Sequence, residues 1–251
     1  MQRAIAHIEV IQSLRRAGIV PDFEAVLEST YRRLIRPGDT VIDVGAHHAR
    51  HTVVFAELVG PSGSVHAFEP LPNIVAWLQA RHLPSQIRIY PFALGAGDGP
   101  TEFVHAKGTP AESGLKRRAS YNRPDLVKPE TIMVELRRLD AFVDRIRDVR
   151  YIKMDIEGGE VDCLRGAARL IARDRPYISA EYGMATYEPY GHTVRTLVAQ
   201  AESMGYVVGD LFGAAVEDPE AWIRICDRGM WDWYLIPRER LAEWTASLAE
   251  Q

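Results

Sequence analysis

The chain has 251 residues, of which 47% are hydrophobic and 25% charged, and these proportions indicate a globular enzyme. Its formal net charge of −4 gives no overall basic field, so we expect no nucleic-acid partner. The two isolated cysteines exclude a disulfide scaffold or a zinc module. No apolar run reaches the length of about 18 residues that a membrane span needs, and the first residues do not have the pattern of a secretory leader. We therefore expect a cytoplasmic protein.

Residues 1–36 are predicted to form two helices. Apolar side chains recur at helical spacing from Ile5 to Leu14 and again from Phe23 to Leu34. The turn Arg36–Asp39 contains proline and glycine and ends the second helix. These helices precede the segment that we expect to form the core, residues 37–251.

Short apolar strands alternate with helical stretches after residue 37. The predicted strands are Thr40–Val44, Val65–Phe68, Ile87–Tyr90, Tyr151–Met154 and Tyr177–Ala180. This alternation predicts an α/β fold with a mostly parallel sheet and right-handed crossovers. We find neither a repeat nor a linker, so we expect residues 1–251 to form a single domain.

Two segments interrupt the alternation. Thr101–His105 and Thr131–Leu136 have strand character and flank a polar loop at about residues 106–130. Near the end of the chain, Trp222–Cys226 and Trp231–Ile236 are predicted to form a hairpin with an antiparallel edge. The loop has more basic than acidic residues: Lys107, Lys116, Arg117, Arg118, Arg123 and Lys128 against Glu112, Asp125 and Glu130. This excess fits either a lid over an acidic acceptor or a solvated surface.

Polar residues follow the predicted strands at the points where these strands end. In an open parallel sheet, ligands bind outside the carboxyl ends of the strands, near the position where the strand order reverses. We therefore expect the site to be built from the residues at these ends, most of which are carboxylates: Asp43, Gly45, Glu69, Asp155, Glu157 and Glu181.

The loop after the first strand argues against a dinucleotide. His47 and Arg50 stand where a dinucleotide fingerprint starting at Gly45 needs its second and third glycines. S-adenosylmethionine has no phosphate, its carboxylate suits the loop N–H groups, and its ammonium suits a carboxylate such as Asp43. A tight turn without any ligand is the alternative.

Two further strand ends carry candidate chemistry. Glu69 can accept hydrogen bonds from both hydroxyl groups of a ribose, although a glutamate before proline is also an ordinary strand exit. Strand alternation places Lys153 and Asp155 on one face. A lysine on a core strand needs a partner or a wet cavity, and a cleft supplies both.

Three segments resemble the signatures of FkbM-type methyltransferases. They are Gly38–Ala46, Ala67–Pro70 and Lys153–Glu160, and they occur in that family's order and at its intervals. Ala93–Gly95, Ser113–Leu115, Leu139–Asp140 and Ala180–Glu181 resemble shorter family segments. The resemblance spans roughly residues 35 to 185, and its Lys-x-Asp-x-Glu-Gly pattern is the most specific part.

The resemblance implies a Rossmann-like class I methyltransferase fold with seven strands, the last of them antiparallel. It implies that S-adenosylmethionine is the cofactor and that the acceptor is a hydroxyl on a sugar or polyketide-like compound. The cofactor-binding residues expected on this basis are Asp43, Gly45, Ala46, His47, Thr52, Glu69, Pro70, Ala93, Leu94 and Asp155. The chain departs from the family at His47, where asparagine is usual, and at Ala49, where glycine is usual.

We expect Asp155 to take the proton of the acceptor hydroxyl, with Glu157 and Glu181 as the next candidates and Lys153 as the orienting residue. The pattern neither requires nor excludes a divalent ion on these carboxylates, and His47, His48 and His51 form no complete zinc pattern. The acceptor is expected to be a small molecule, such as an acidic or nucleotide-linked sugar. The alternatives are a non-catalytic S-adenosyl-binding module and an NAD-dependent oxidoreductase.

Overall fold

The computed structural model describes residues 2–118 and 124–249, in which helices and strands alternate as the sequence predicts. The helices are α1 (Gln2–Arg16), α2 (Phe23–Leu34), α3 (Arg50–Val59), α4 (Pro72–Gln79), α5 (Pro124–Val127), α6 (Glu160–Gly166), α7 (Ala168–Asp174), α8 (Met184–Tyr187), α9 (Thr196–Ser203), α10 (Pro219–Ile225) and α11 (Leu241–Ala249). The strands are β1 (Thr40–Val44), β2 (Ser64–Phe68), β3 (Ile87–Tyr90), β4 (Ala93–Leu94), β5 (Gly99–Ala106), β6 (Pro129–Arg137), β7 (Val149–Met154), β8 (Tyr177–Glu181), β9 (Tyr206–Gly209), β10 (Ala215–Val216) and β11 (Asp232–Pro237).

The main sheet has the order β10-β9-β11-β8-β7-β1-β2-β3. The pairs from β8 through β3 are parallel, whereas β11 runs antiparallel to both of its neighbours, β8 and β9. The predicted mixed α/β sheet with an antiparallel last strand is therefore confirmed. An eighth strand, the two-residue β10, extends the expected seven at one edge. The strand order reverses between β1 and β7, which is where this type of sheet binds ligands.

The predicted hairpin near the end of the chain is wrong. Residues 219–225 form helix α10, and the neighbours of β11 are β8 and β9. The Asp218 side chain accepts a hydrogen bond from the Glu220 N–H, and Pro219 occupies the start of the helix, where it lacks only an N–H that would have no partner. This N-terminal cap outweighs the strand preference of the tryptophan and isoleucine residues that follow.

The segment between β3 and β7 forms a second sheet of three strands, in the order β4-β6-β5. The two runs with strand character are β5 and β6, which pair antiparallel from Gly99 and Leu136 to Ala106 and Pro129. The predicted loop at residues 106–130 includes a 3-10 turn at Pro110–Glu112 and the short helix α5. One of its basic residues, Arg123, lies outside the described residues.

Helix α2 packs against the face of the sheet that bears Tyr151. The Tyr31 ring lies 5.9 Å from the Tyr151 ring on β7 and 4.7 Å from the Phe55 ring on α3. A hydrogen bond of 2.7 Å joins Thr30 Oγ1 to the Tyr234 hydroxyl on β11. These buried contacts hold the second half of α2 on the sheet, and Glu24 in its first turn lines the cavity described below. Within the described residues, no helix combines the length and apolar character needed to cross a membrane.

Candidate active site

The loop after β1 touches the end of β7 at Gly45. A side chain at Gly45 would place its Cβ only 2.0 Å from the carbonyl oxygen of Asp155, and the φ angle of +88° also favours glycine. The Asp155 N–H donates to the Val44 carbonyl oxygen, and the Gly45 N–H donates to that of Phe68. The ends of β1, β2 and β7 are thereby held together around one point.

Two residues of this loop adopt the left-handed conformation although neither is glycine. His47 has a φ of 45° and Ala49 a φ of 63°, each at a cost of roughly 1–2 kcal/mol relative to ordinary backbone. Ala49 precedes α3 without capping it through a side chain, and Ala49 is buried. The two departures from the family pattern thus fall on the two strained positions of the loop.

Glu69 directly follows β2, and its carboxylate holds the loop after β1. Its Oε2 accepts the His47 N–H at 2.9 Å, and its Oε1 accepts the Leu71 N–H at 2.8 Å. The residue is only 4% exposed, and burial raises the pKa of its carboxyl to about 7 despite these two hydrogen bonds. Each oxygen has a second lone pair for a ligand donor.

A cavity of about 300 Å³ opens at the switch point between β1 and β7. Among the expected cofactor-binding residues, those that line it are Gly45, Ala46, His47, Glu69, Pro70, Ala93, Leu94 and Asp155. Three apolar lining residues belong to one packed cluster, Leu71, Phe103 and Leu115. Four charged residues also line the cavity, Glu24, Arg50, Lys153 and Asp155.

Asp43 and Thr52, which we also expected to bind the cofactor, are not among the described residues that line the cavity. The Thr52 hydroxyl donates to Asp43 Oδ2 at 2.6 Å, and both residues are buried. Asp43 is the register partner of Lys153 on the neighbouring strand, so the two side chains share a face of the sheet. In this place Asp43 supplies a counter-charge to Lys153.

Lys153 and Asp155 form an ion pair in the lining of the cavity. Lys153 Nζ donates to Asp155 Oδ2 at 2.9 Å, with the lysine side chain 3% exposed and the aspartate side chain 35% exposed. Burial disfavours the ammonium, but the carboxylates of Asp155 and Asp43 outweigh it and hold the pKa of Lys153 above its ordinary value. Lys153 is therefore a permanent cation that orients Asp155 toward the cavity.

The structure brings the three predicted catalytic carboxylates together. Asp155, Glu157 and Glu181 each offer an oxygen within 4.8 Å of the other two, a spacing compatible with one shared cation. Arg118 of the inserted segment places its guanidinium against Glu157 and 3.9 Å from Glu181. Burial raises the pKa of the Glu181 carboxyl, with Asp155 adding to the effect. Of the three, only Asp155 belongs to the described cavity wall.

Two charged residues of this region, Glu24 and Asp232, escaped the sequence reasoning, and the partners of a third, Arg118, were not predicted. Asp232 is the register partner of Glu181, and burial and the Asp155 carboxylate raise the pKa of its carboxyl to about 7. The wrong hairpin hid this pairing, since register cannot be read without the correct neighbour strand. Arg118 belongs to the basic loop, but sequence does not reveal which carboxylates it reaches.

Of the three neighbouring histidines, His51 is the most constrained. His51 Nε2 lies 2.6 Å from Glu24 Oε2, and its Nδ1 lies 2.9 Å from the Tyr31 hydroxyl. Both ring nitrogens are thus engaged by helix α2. His47 and His48 instead contact each other through Nδ1 atoms 3.1 Å apart, and burial lowers the pKa of His47.

Comparisons with known proteins give a consistent set of similarities. Residues 43–208 match the model of the methyltransferase FkbM domain. Methyltransferase 1 of Beauveria bassiana is 24% identical over 161 residues, which are 57% of this chain and 64% of that protein. A protein-L-isoaspartate O-methyltransferase of Methanothrix thermoacetophila is 32% identical over 110 residues, 41% of this chain and 45% of that protein. The chain thus spans less than two thirds of either relative.

Among solved structures, the chain is similar to a methyltransferase FkbM from Methylobacillus flagellatus. The TM-score is 0.48 at 16% identity, and the match covers 93% of this chain and 59% of that one. An Aeropyrum pernix fibrillarin with bound S-adenosyl-L-methionine gives a TM-score of 0.46 at 15% identity, covering 81% of this chain and 68% of that one.

Proposed function

The chain belongs to the FkbM methyltransferase family, whose members depend on S-adenosylmethionine, and from that premise we propose that it methylates a hydroxyl group of a small-molecule acceptor. The observation that carries this proposal is the Lys153–Asp155 ion pair, which opens on the same cavity as Glu69. The proposed ligand of the cofactor and the proposed proton acceptor thus line the same cavity.

The cavity lining contains groups suited to each part of S-adenosylmethionine. Leu71, Phe103 and Leu115 offer apolar surface for the adenine ring. Glu69 has acceptor capacity for the ribose hydroxyl groups. Glu24 and Arg50, which are lining residues 3.7 Å apart, suit a zwitterionic amino acid. The side chain of His47 stands where a pyrophosphate would need glycine, which disfavours the oxidoreductase alternative.

Asp155 would accept the proton of the acceptor hydroxyl. Bound S-adenosylmethionine supplies an electrophilic methyl group on its sulfonium. Lys153 fixes one carboxylate oxygen of Asp155 through its 2.9 Å hydrogen bond, so the other oxygen is oriented for the hydroxyl proton. Positioning of the hydroxyl in a partly enclosed cavity contributes further to the rate.

The acceptor class is proposed to be a sugar or polyketide-like alcohol. This class rests on the family resemblance of the sequence, since the B. bassiana relative is named only as a methyltransferase and the M. thermoacetophila relative as a protein-L-isoaspartate O-methyltransferase. In the inserted segment, the charge of Arg118 is already matched by Glu157 and Glu181. Recognition of an acidic acceptor by this segment therefore falls to its other basic residues, such as Lys116 and Arg117.

The proposal is tested first on the ligand and then on the reaction. S-adenosylhomocysteine should raise the melting temperature, whereas NAD and NADP should not, since only a ligand of the native state stabilises it. Transfer of a labelled methyl group to a panel of sugar and polyketide alcohols then tests the reaction. Stabilisation by NAD alone would exclude the methyltransferase function. Binding of S-adenosylhomocysteine, with no transfer to any alcohol, carboxylate or amine, would favour the non-catalytic module.

A further inference from the structure

The cavity lining contains a charged side chain from helix α2, which precedes the family-matched residues 43–208. Glu24 lines the cavity together with Arg50 and His51 of α3. A carboxylate in the first turn of a helix is favoured by the helix dipole whatever its function. The distinguishing features of Glu24 are its place in the cavity wall and its contacts with both α3 residues.

Two hydrogen bonds in series fix the position of Glu24. Ionised Glu24 can only accept hydrogen bonds, so His51 Nε2 donates to its Oε2 at 2.6 Å. In the neutral ring, His51 Nδ1 then accepts from the Tyr31 hydroxyl at 2.9 Å. The His51 hydrogen bond and the nearby cations hold the pKa of Glu24 at about 2, so the carboxylate is charged at every physiological pH.

Both charged side chains retain capacity for a ligand. The contacts of Glu24 with His51 and Arg50 use the same oxygen, Oε2, and 39% of its side chain is exposed. The Arg50 guanidinium lies 3.7 Å from that oxygen, too far for a good hydrogen bond, and is 57% exposed. A carboxylate acceptor and a guanidinium donor thus stand side by side, which is the complement of an α-amino acid.

The neighbouring carboxylates are less suited to an ammonium. Asp155 is already bonded to the buried Lys153, and Asp43 lies behind the cavity wall with Thr52 on its Oδ2. The two contacts of Glu24, from His51 at 2.6 Å and from Arg50 at 3.7 Å, both fall on Oε2, so Oε1 is available to an ammonium. A ligand that brings both an ammonium and a carboxylate would satisfy Glu24 and Arg50 together.

Resting on the proposed function, we infer that Glu24 and Arg50 form the subsite for the amino-acid end of S-adenosylmethionine. Glu24 binds the ammonium and Arg50 the carboxylate, while His51 and Tyr31 position Glu24. This assigns a binding role to helix α2, and it replaces Asp43 as the partner of the ammonium.

Calorimetric titration with three ligands that all contain the adenosine part tests this subsite. S-adenosylhomocysteine has both charged groups, S-(3-aminopropyl)-5′-thioadenosine lacks the carboxylate, and 5′-methylthioadenosine lacks both. Glu24→Gln should lower the affinity for the two ligands that contain the ammonium by about 5- to 20-fold, because a partly exposed charged hydrogen bond is lost. Arg50→Met should lower the affinity for S-adenosylhomocysteine alone. Neither should change the affinity for 5′-methylthioadenosine by more than about twofold.

Glu28→Gln and Arg32→Met are the matched controls. These residues form an ion pair one turn further along α2, between Arg32 Nη2 and Glu28 Oε1 at 2.8 Å, and neither is among the described cavity residues. Both variants should bind all three ligands as the unmodified protein does. Glu24→Asp, which keeps the charge on a shorter side chain, should retain more affinity than Glu24→Gln and provides a second reading if the glutamine variant folds poorly.

The outcomes separate the subsite from the proposed function. If the unmodified protein binds none of the three ligands, both fail. If it binds them but Glu24→Gln and Arg50→Met bind S-adenosylhomocysteine normally, the subsite is refuted and the proposed function stands. An equal loss for 5′-methylthioadenosine would show a general disturbance of the cavity and would also refute the subsite.

Discussion

Replacement of Glu69 by glutamine tests how a buried carboxylate serves the proposed cofactor site. The carboxylate accepts main-chain N–H groups of His47 and Leu71, at 2.9 and 2.8 Å, and we propose that its remaining lone pairs bind the ribose hydroxyl groups. Glutamine keeps the shape but has one acceptor oxygen, so it cannot serve both N–H groups and the diol. We expect affinity for S-adenosylhomocysteine at pH 8 to fall by about 5- to 150-fold, equivalent to roughly 1–3 kcal/mol.

The stability of the ligand-free protein should change little at pH 8. The rise of the Glu69 pKa from 4.5 to about 7 means that the ionised form costs the native state about 3 kcal/mol. Because the folded pKa is the higher one, this contribution disfavours folding progressively as the pH rises from 4.5 to 7. Glutamine removes that cost but leaves one buried N–H without its acceptor, which costs roughly 1–3 kcal/mol. The two effects approximately cancel.

The pH dependence of binding gives the sharpest measurement. If the diol binds the ionised carboxylate, the unmodified protein should bind S-adenosylhomocysteine about tenfold more weakly at pH 6 than at pH 8. Glu69→Gln should remove that dependence. The Asp232 carboxyl has a pKa of about 7 as well, but it is not among the described residues that line the cavity, so we expect its titration to leave the binding unchanged. Glu57→Gln, an exposed substitution on α3, is the matched control.

Calorimetry at pH 6, 7 and 8 on the three proteins decides the matter. Equal affinities of the unmodified protein and Glu69→Gln at pH 8 would show that Glu69 only holds the loop. A pH dependence that persists in Glu69→Gln would assign the proton to another group and refute the role of the Glu69 charge.

Three further substitutions test the rest of the site. Asp155→Asn should lower turnover by about 10²–10⁴ while its amide still accepts from the neighbouring lysine; near-normal turnover would move the proton acceptor to one of the two adjacent glutamates. Arg118→Met should destabilise the protein by about 3 kcal/mol at pH 8 and by less at pH 5, because burial raises the pKa of the neighbouring Glu181 carboxyl and a lower pH favours its neutral form; equal losses in denaturant unfolding at the two pH values would contradict this. Gly45→Ala should cost at least about 2 kcal/mol and abolish S-adenosylhomocysteine binding, whereas Gly60→Ala, which has positive φ but open space around its Cβ, should cost only about 1 kcal/mol; equal melting temperatures would exclude the steric reason.

The parallel part of the fold could be predicted from local patterns. Apolar strands alternating with helices determine a parallel sheet, and the carboxyl ends of such strands meet at one edge. That reasoning found Gly45, Glu69 and Asp155, which the structure brings to one cavity. The antiparallel edge of the sheet was harder to predict. The apolar run after residue 221 is a stronger sequence signal for a strand than Asp218 and Pro219 are for the start of a helix.

The remaining charged residues of the site depend on tertiary structure alone. Glu24 reaches the cavity because Tyr31 packs between α3 and β7. Arg118 meets Glu157 because the inserted segment crosses to it, and Asp232 meets Glu181 because β11 inserts between β8 and β9. Each contact joins segments far apart in the chain, and no spacing within the sequence encodes it. The sequence by itself determined which strand ends carry the chemistry. The packing of distant segments decided which further charges those ends meet.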